Sequence, residues 1–259
     1  MWSFKRWREQ RIVSRATFSQ SDWHEAYSYL PLLAALTVDE QHRLEDLSVL
    51  FLDQKSIEGA GGLELTPIMH LVIALQACLP ILNLGLEWYA GWTSVIVYPD
   101  EFVPEHEYTD EAGVVHRTRH ALSGEAWLRG PVILAWSEVE RAGALDGYNV
   151  VIHEFAHKLD MLDGTVNGLP PLHAEMKVEL WASAFTQAFS HFRRVVAHRR
   201  HSFIDPYGAD SPAEFFAVLS ECFFETPSVV LSEYPLVYEQ MKLFYKMDFA
   251  GRGIVRATL

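Results

Sequence analysis

The sequence predicts an α+β protein, with a helical region over residues 1–85 and a sheet-containing core over 86–259. Three observations carry this. Apolar residues recur at helical spacing in the first third, as in Leu44, Leu47, Leu50 and Phe51. Near residue 86 the chain turns to short stretches rich in aromatic and β-branched residues. Capped helical patterns then return from Asn149 onward. Strands in the middle of a chain flanked by helices make an α+β architecture, here a small mixed sheet packed against helices.

Each element follows from local signals. The opening, MWSFKRWREQRIVSR, holds five Lys or Arg and one acid, Glu9, with Trp2 and Trp7 interleaved. It has no apolar run behind its charges, so it is not expected to be a signal peptide. It reads as a solvated helix face, with a contact surface for a partner or an anionic membrane as the alternative. Thr37 and Glu40 form a capping-box pattern. EGAGG at 58–62 reads as a loop. TPIMHLVIALQACLPILNLG at 66–85 approaches the length of a membrane span. His70, Gln76, Pro80 and Asn83 interrupt it, and Thr66 followed by Pro67 is a helix start. A buried helix, not a membrane span, is expected.

Residues 87–103, 114–124 and 130–139 read as strands, the second following the turn-like Asp110–Gly113. Asn149 is placed to cap the next helix and Gly164 to end it. A long helical pattern covers 173–199. The polar loop HSFIDPYGADSP leads into a helix over 212–225, and a last one starts near Pro235.

Composition bounds function. Hydrophobic residues make up 49%, with 8 Trp, 15 Phe and 10 Tyr, enough for a sizeable core. A net charge of −13 argues against general nucleic-acid binding, which needs a basic surface. Cys78 and Cys222 sit in apolar surroundings and form no disulfide framework, so a cytoplasmic location is expected.

The stretch VVIHEFAHKLDMLDG at 150–164 carries chemistry. His153 and His157 are four apart and share one face of a helix, one turn from each other. Two imidazoles presented this way suit one zinc ion. Glu154 lies about 100° round the helix, too far to join them comfortably, but placed to take a proton from a water that the metal activates. This is the H-E-x-x-H pattern.

A catalytic zinc needs a third protein ligand and an open position. Asp163 stands where a metzincin-type motif would place its third histidine, but Asp160 replaces the glycine that lets the chain turn back. Glu214, Glu221 and Glu225 share a stripe on the 212–225 helix, and carboxylates amid so much apolar surface need partners. Ser211-Pro212-Ala213-Glu214 is also a capping box, so spacing alone leaves Glu214 open between cap and ligand.

HEFAHKLDMLDG together with YGADSPAEFFAVLSECFFE resembles the Mlc titration factor A family, also called DgsA anti-repressor proteins. These are bacterial zinc metallopeptidases of the gluzincin type, and the likeness runs from near Trp88 to about Tyr245. The family's core is also similar to the metalloprotease domain of anthrax lethal factor, with Tyr207-Gly208 and Glu214-Phe215-Phe216-Ala217 as the matching segments.

The resemblance implies a zinc metallopeptidase core of gluzincin type over 86–259 and one zinc held by His153, His157 and Glu214. It implies Glu154 as general base and Tyr207 as the group that steadies the transition state. It further implies peptide substrates, cleavage near the N-terminus, and capture of the Mlc repressor protein. Tyr207 also makes chemical sense alone, because a phenol can share an oxyanion's charge. Asp160, Asp163 and Glu221 are candidates to orient the ligands or, equally, ordinary charges. Gly130–Trp136 is the expected sheet edge for a substrate strand. The basic N-terminus or, alternatively, the Arg/His-rich stretch Phe192–His201 is the expected surface for a repressor.

Overall fold

The computed structural model describes residues 2–100, 106–109, 115–118, 124–126 and 130–252. Its helices are α1 (Trp2–Val13), α2 (Gln20–Ser28), α3 (Val38–Gln54), α4 (Pro67–Cys78), α5 (Trp136–Arg141), α6 (Val150–Asp160), α7 (Val178–Ala197), α8 (Pro212–Glu225), α9 (Pro227–Glu233) and α10 (Pro235–Tyr245). The strands are β1 (Ser56–Gly59), β2 (Ser94–Tyr98), β3 (His106–Thr109), β4 (Val115–Thr118), β5 (Gly124–Ala126) and β6 (Val132–Ala135).

The helix starts obey their caps. The Thr37 hydroxyl accepts from the Glu40 amide at 3.3 Å while the Glu40 carboxylate accepts from the Thr37 amide at 2.9 Å. Thr66 caps α4 with Pro67 at the first helical position. α4 is buried from Met69 to Cys78 apart from the half-buried His70, and its 12 residues rise only about 18 Å, short of a bilayer's hydrocarbon core. Among the described residues no helix is long and apolar enough to cross a membrane.

One sheet has the order β1-β2-β6-β5. β1, β2 and β6 run parallel, and β5 is antiparallel to β6, so the sheet is mixed. The register sets Val95 against Val132 and Val97 against Leu134. All four are buried, and they present one apolar face to the helices. β3 and β4 form a separate antiparallel pair. The sheet and its core run across residue 85: β1 pairs with β2, and α4 packs on α6.

Four strand and helix expectations need correction. Residues 87–93 are not strand. Leu86–Tyr89 is a 3-10 turn, Gly91 has φ +92°, and only Ser94–Tyr98 is extended. Tyr89 and Trp92 instead pack on Phe51 and Phe155, with centroids 5.1–6.4 Å apart. Part of EGAGG is strand, because Glu58 and Gly59 complete β1. A Cβ at Gly59 would meet the Leu63 carbonyl oxygen at 2.0 Å, so the turn after β1 demands glycine. The 130–139 segment is strand only to Ala135 and then becomes α5. The long helix starts at Val178 rather than 173. Of the strands read at 87–103 and 114–124, residues 101–103, 114 and 119–123 lie outside the described residues.

Candidate metal centre

α6 is buried along its whole length and packs against α8. Asn149 starts it, its side-chain oxygen accepting from the Ile152 amide at 3.0 Å. The helix continues through a 3-10 turn, Met161–Asp163, and stops at Gly164 in the left-handed region, φ +92°. A rigid buried rod therefore presents His153 and His157 on one face.

The two imidazoles meet with centroids 4.8 Å apart and Nε2 atoms 3.2 Å apart. Glu214 comes from the first turn of α8. Its Oε2 lies 3.0 Å from His153 Nε2 and 3.3 Å from His157 Nε2. Ser211 does cap α8, accepting from the Glu214 amide at 3.1 Å, but the Glu214 carboxylate turns to the histidines instead of closing a reciprocal box. Among the described residues this is the one cluster of three or more metal-ligating side chains.

The chemistry of the three donors fits a divalent ion. Glu221 Oε1 sits 2.7 Å from His153 Nδ1, so that nitrogen donates to the carboxylate and the Nε2 lone pair faces inward. An inward lone pair 3.0 Å from a carboxylate oxygen is repulsive unless a positive charge lies between them. Donors held about 2.0–2.1 Å from a tetrahedral ion stand roughly 3.3 Å apart. The observed spacings of 3.0, 3.2 and 3.3 Å approach that. With the pocket charged only by protons, burial works to lower the His153 pKa, but Glu221 and Glu214 raise it well above the usual value. Glu214 is held at about 2 by the two histidines, against the upward push of its own burial.

Glu154 is buried, and its Oε2 has no hydrogen-bond partner among the described residues. Burial pushes its carboxyl up to about 7, opposed by the two histidines and reinforced by Glu214 and Glu221. Tyr207 sits in the 3-10 turn Pro206–Ala209, where Asp205 accepts from its amide at 2.8 Å. Its ring centroid is 5.9 Å from that of His153, and about half of the residue is exposed. Partial burial and the nearby carboxylates of Glu214 and Glu154 raise its phenol pKa. Gly208 places this turn against the helices, where a Cβ would make ordinary contact with Phe192 of α7 and Val218 of α8 at 3.4 Å.

The acidic stripe of α8 faces α6 throughout. Below Glu214, Glu221 holds His153 and accepts from the Asn149 amide. One turn further, Glu225 accepts from the Asn149 side chain at 3.0 Å and from the Gly147 amide at 3.2 Å. The Asn149 side-chain amide also reaches Gln76 of α4 at 2.9 Å. Gln76, which interrupts the apolar 66–85 segment, is thus a buried partner of the motif helix. Burial raises Glu225 to about 8, the bonds from Asn149 and Gly147 pulling the other way. The sequence marked Asn149 as a cap, but nothing local in it gave the links to Gln76 and Glu225.

Of the other two candidates, Asp163 is exposed and closes its own turn onto Thr165 at 2.9 and 2.6 Å. The glycine that reverses the chain, Gly164, comes after Asp163 and leaves it outside the cluster. Asp160 is fully buried and accepts from the Gly168 amide at 2.8 Å. It anchors the 164–170 loop, where Gly168 has φ +75° and passes so close to α8 that a Cβ would meet the Pro212 carbonyl oxygen at 2.4 Å. His157 Nδ1 has no hydrogen-bond partner among the described residues, so Asp160 makes no direct bond to it.

An H-E-x-x-H helix facing a glutamate from a second helix, over a small mixed sheet, is an arrangement suited to holding a metal ion. The chain belongs to the glucose-regulated metallopeptidase M90 family, whose sequence model matches residues 4–246. It is 38% identical over 235 residues to the Mlc titration factor A of Yersinia enterocolitica serotype O:8, covering 90% of this chain and 87% of that protein. It is 37% identical over 236 residues to the Mlc titration factor A of Klebsiella pneumoniae, covering 90% of this chain and 89% of that one. A metallopeptidase family implies a metal ion, and the His–His–Glu cluster is where this chain has donors for it.

Proposed function

We propose that the protein is a zinc-dependent peptidase of gluzincin type, acting in the cytoplasm, with His153, His157 and Glu214 as metal ligands. The convergence of these three donors within hydrogen-bonding distance of one another is the observation that carries this reading. Two imidazole nitrogens and one carboxylate oxygen are a donor set suited to zinc, and Glu214 is the half-buried member that leaves a side open to solvent. When bound, the ion supplies Lewis acidity that polarises a peptide carbonyl and acidifies water.

The chain's own residues supply the rest. Glu154, buried with one oxygen unpartnered, accepts the proton of the attacking water. The Tyr207 hydroxyl donates to the carbonyl oxygen as negative charge builds there. Glu221 fixes the ring of His153 through Nδ1. The expected substrate edge at Gly130–Trp136 does not stand: β6 lies between β2 and β5, with its hydrogen bonds used on both sides. A substrate strand in register with the sheet would instead add to the outer side of β5. Cleavage from the amino end is part of this reading, and comparing free with acetylated peptides separates it from internal cleavage.

Glu154→Gln is the direct test. It should retain one zinc per chain and lose about 10²- to 10⁴-fold in peptide hydrolysis. Full activity with normal zinc content would refute the mechanism, while Glu214→Ala with unchanged zinc would refute the ligand set.

A second role is supported by the likeness to two proteins named for titrating Mlc. In this reading the protein binds the Mlc repressor and relieves repression without cutting it. A chelator separates the two roles, because binding that survives metal removal uses a surface away from the cluster.

A further inference from the structure

α1 turns a stripe of arginine and aromatic side chains away from the body. At about 100° per residue, Phe4, Trp7, Arg8 and Arg11 fall within roughly 100° of arc. Phe4 is 70% exposed and Trp7 52%, unusual for residues that gain so much from burial. Their rings stack at 5.8 Å, and the Arg11 guanidinium lies 5.4 Å from the Trp7 centroid. Glu9, Ile12 and Val13 on the other side are partly covered, and the helix packs on α3. Lys5 is paired with Glu9 and Glu87, whereas Arg6, Arg8 and Arg11 make no ion pair among the described residues.

Charge sets this helix apart. The first fifteen residues carry five Lys or Arg and one Glu, a net of +4, so the rest of the chain holds −17 of the total −13. Trp and Arg, stacked and unpaired, are the residue types that dominate protein–protein contacts.

We infer that the Phe4–Trp7–Arg8–Arg11 stripe is the docking surface for an acidic patch on the protein this chain titrates, an inference that rests on the anti-repressor reading. A membrane fits less well. A helix lying in a bilayer surface separates an apolar from a charged face, whereas here aromatics and guanidinium groups share one stripe. A flat anionic membrane would also confront the −17 body, while a protein patch within a Debye length, about 8–10 Å, meets the helix alone.

Purified Mlc repressor, titrated against the full chain, tests this. Wild type should bind, with affinity falling as salt rises from about 0.05 to 0.3 M. Trp7→Ala with Arg11→Gln should bind at least about tenfold more weakly and show a shallower salt dependence, since one of the stripe's two guanidinium groups is gone. Its helical content by circular dichroism and its zinc content should not change. Phe4→Ala with Arg8→Gln, which leaves the Trp7–Arg11 pair in place, should weaken binding independently. Undiminished binding by both variants overturns the inference. So does a loss confined to Arg199→Gln with Arg200→Gln, which would move docking to the end of α7. If α1 variants lose binding to vesicles of 30% phosphatidylglycerol yet keep the repressor, the surface is a membrane contact and the inference fails. If wild type itself does not bind the repressor, the anti-repressor reading falls before any variant is compared, and this inference falls with it.

Discussion

Glu221 shows what a single carboxylate does at the cluster. One oxygen receives His153 Nδ1–H and the other the Asn149 amide, so it fixes both a ring and the start of the helix that carries the ring. Glu221→Gln keeps a single acceptor oxygen, so it can serve the Asn149 amide or His153 Nδ1–H but not both. It should lower metal affinity about 10- to 100-fold, measured by competition with a chromophoric chelator. At this scale the sequence was informative where periodicity acts within one helix. The stripe of Glu214, Glu221 and Glu225 was legible, and every member faces α6. The roles of Asp160 and Gln76 were not, because Asp160 pairs with the backbone of a loop and Gln76 with a helix end 73 residues away. No local pattern encodes such a partner.

Among the elements, α6 depends on its first residue more than a surface helix does. Asn149 caps the helix, donates to Gln76 and Glu225, and receives nothing from solvent. Asn149→Ala removes a cap worth about 0.5–2 kcal/mol and strands buried acceptors worth about 1–3 kcal/mol. A loss of about 2–4 kcal/mol by urea denaturation is expected, against about 0.5–2 kcal/mol for Ser211→Ala, which loses a cap alone. Helix starts were readable because Thr37, Thr66, Asn149 and Ser211 each act on the residue three further along. Strands were harder. β1 has four residues and one buried side chain, Ile57, so its identity comes from pairing with β2. The aromatic run at 87–93 carried strand composition, but Trp92 and Tyr89 were spent on the core between α3 and α6.

For the molecule as a whole, α3 and the last described helical segment, Ala250–Arg252, are clasped by one ion pair. Arg252 grips Glu40 of α3 through both carboxylate oxygens, at 2.7 and 2.9 Å. Burial alone would raise the Glu40 pKa, but Arg252 and the cap contacts of Thr37 hold it at about 2, below the ordinary 4.5. A depressed folded pKa means that this stabilisation is whole above pH ~4.5 and disappears as the pH falls toward 2. Glu40→Gln should therefore melt lower than wild type at pH 7, by about 1–2 kcal/mol, with the gap closing as pH falls from 4.5 to 2. A gap that stays constant over that range would exclude Glu40 as the titrating group.

His153 is gripped at both ring nitrogens by carboxylates from a single rod, Glu214 at one end and Glu221 at the other, seven residues apart on α8. Such a ring has no freedom of its own. Should α8 slide along its axis by an ångström, both grips loosen in the same instant, so how tightly an ion is retained becomes a gauge of the rod's position. Strain applied where α8 hands over to α9, at Thr226–Pro227, would then register at the far end of the rod as escape of the ion, without any side chain of the pocket having been touched.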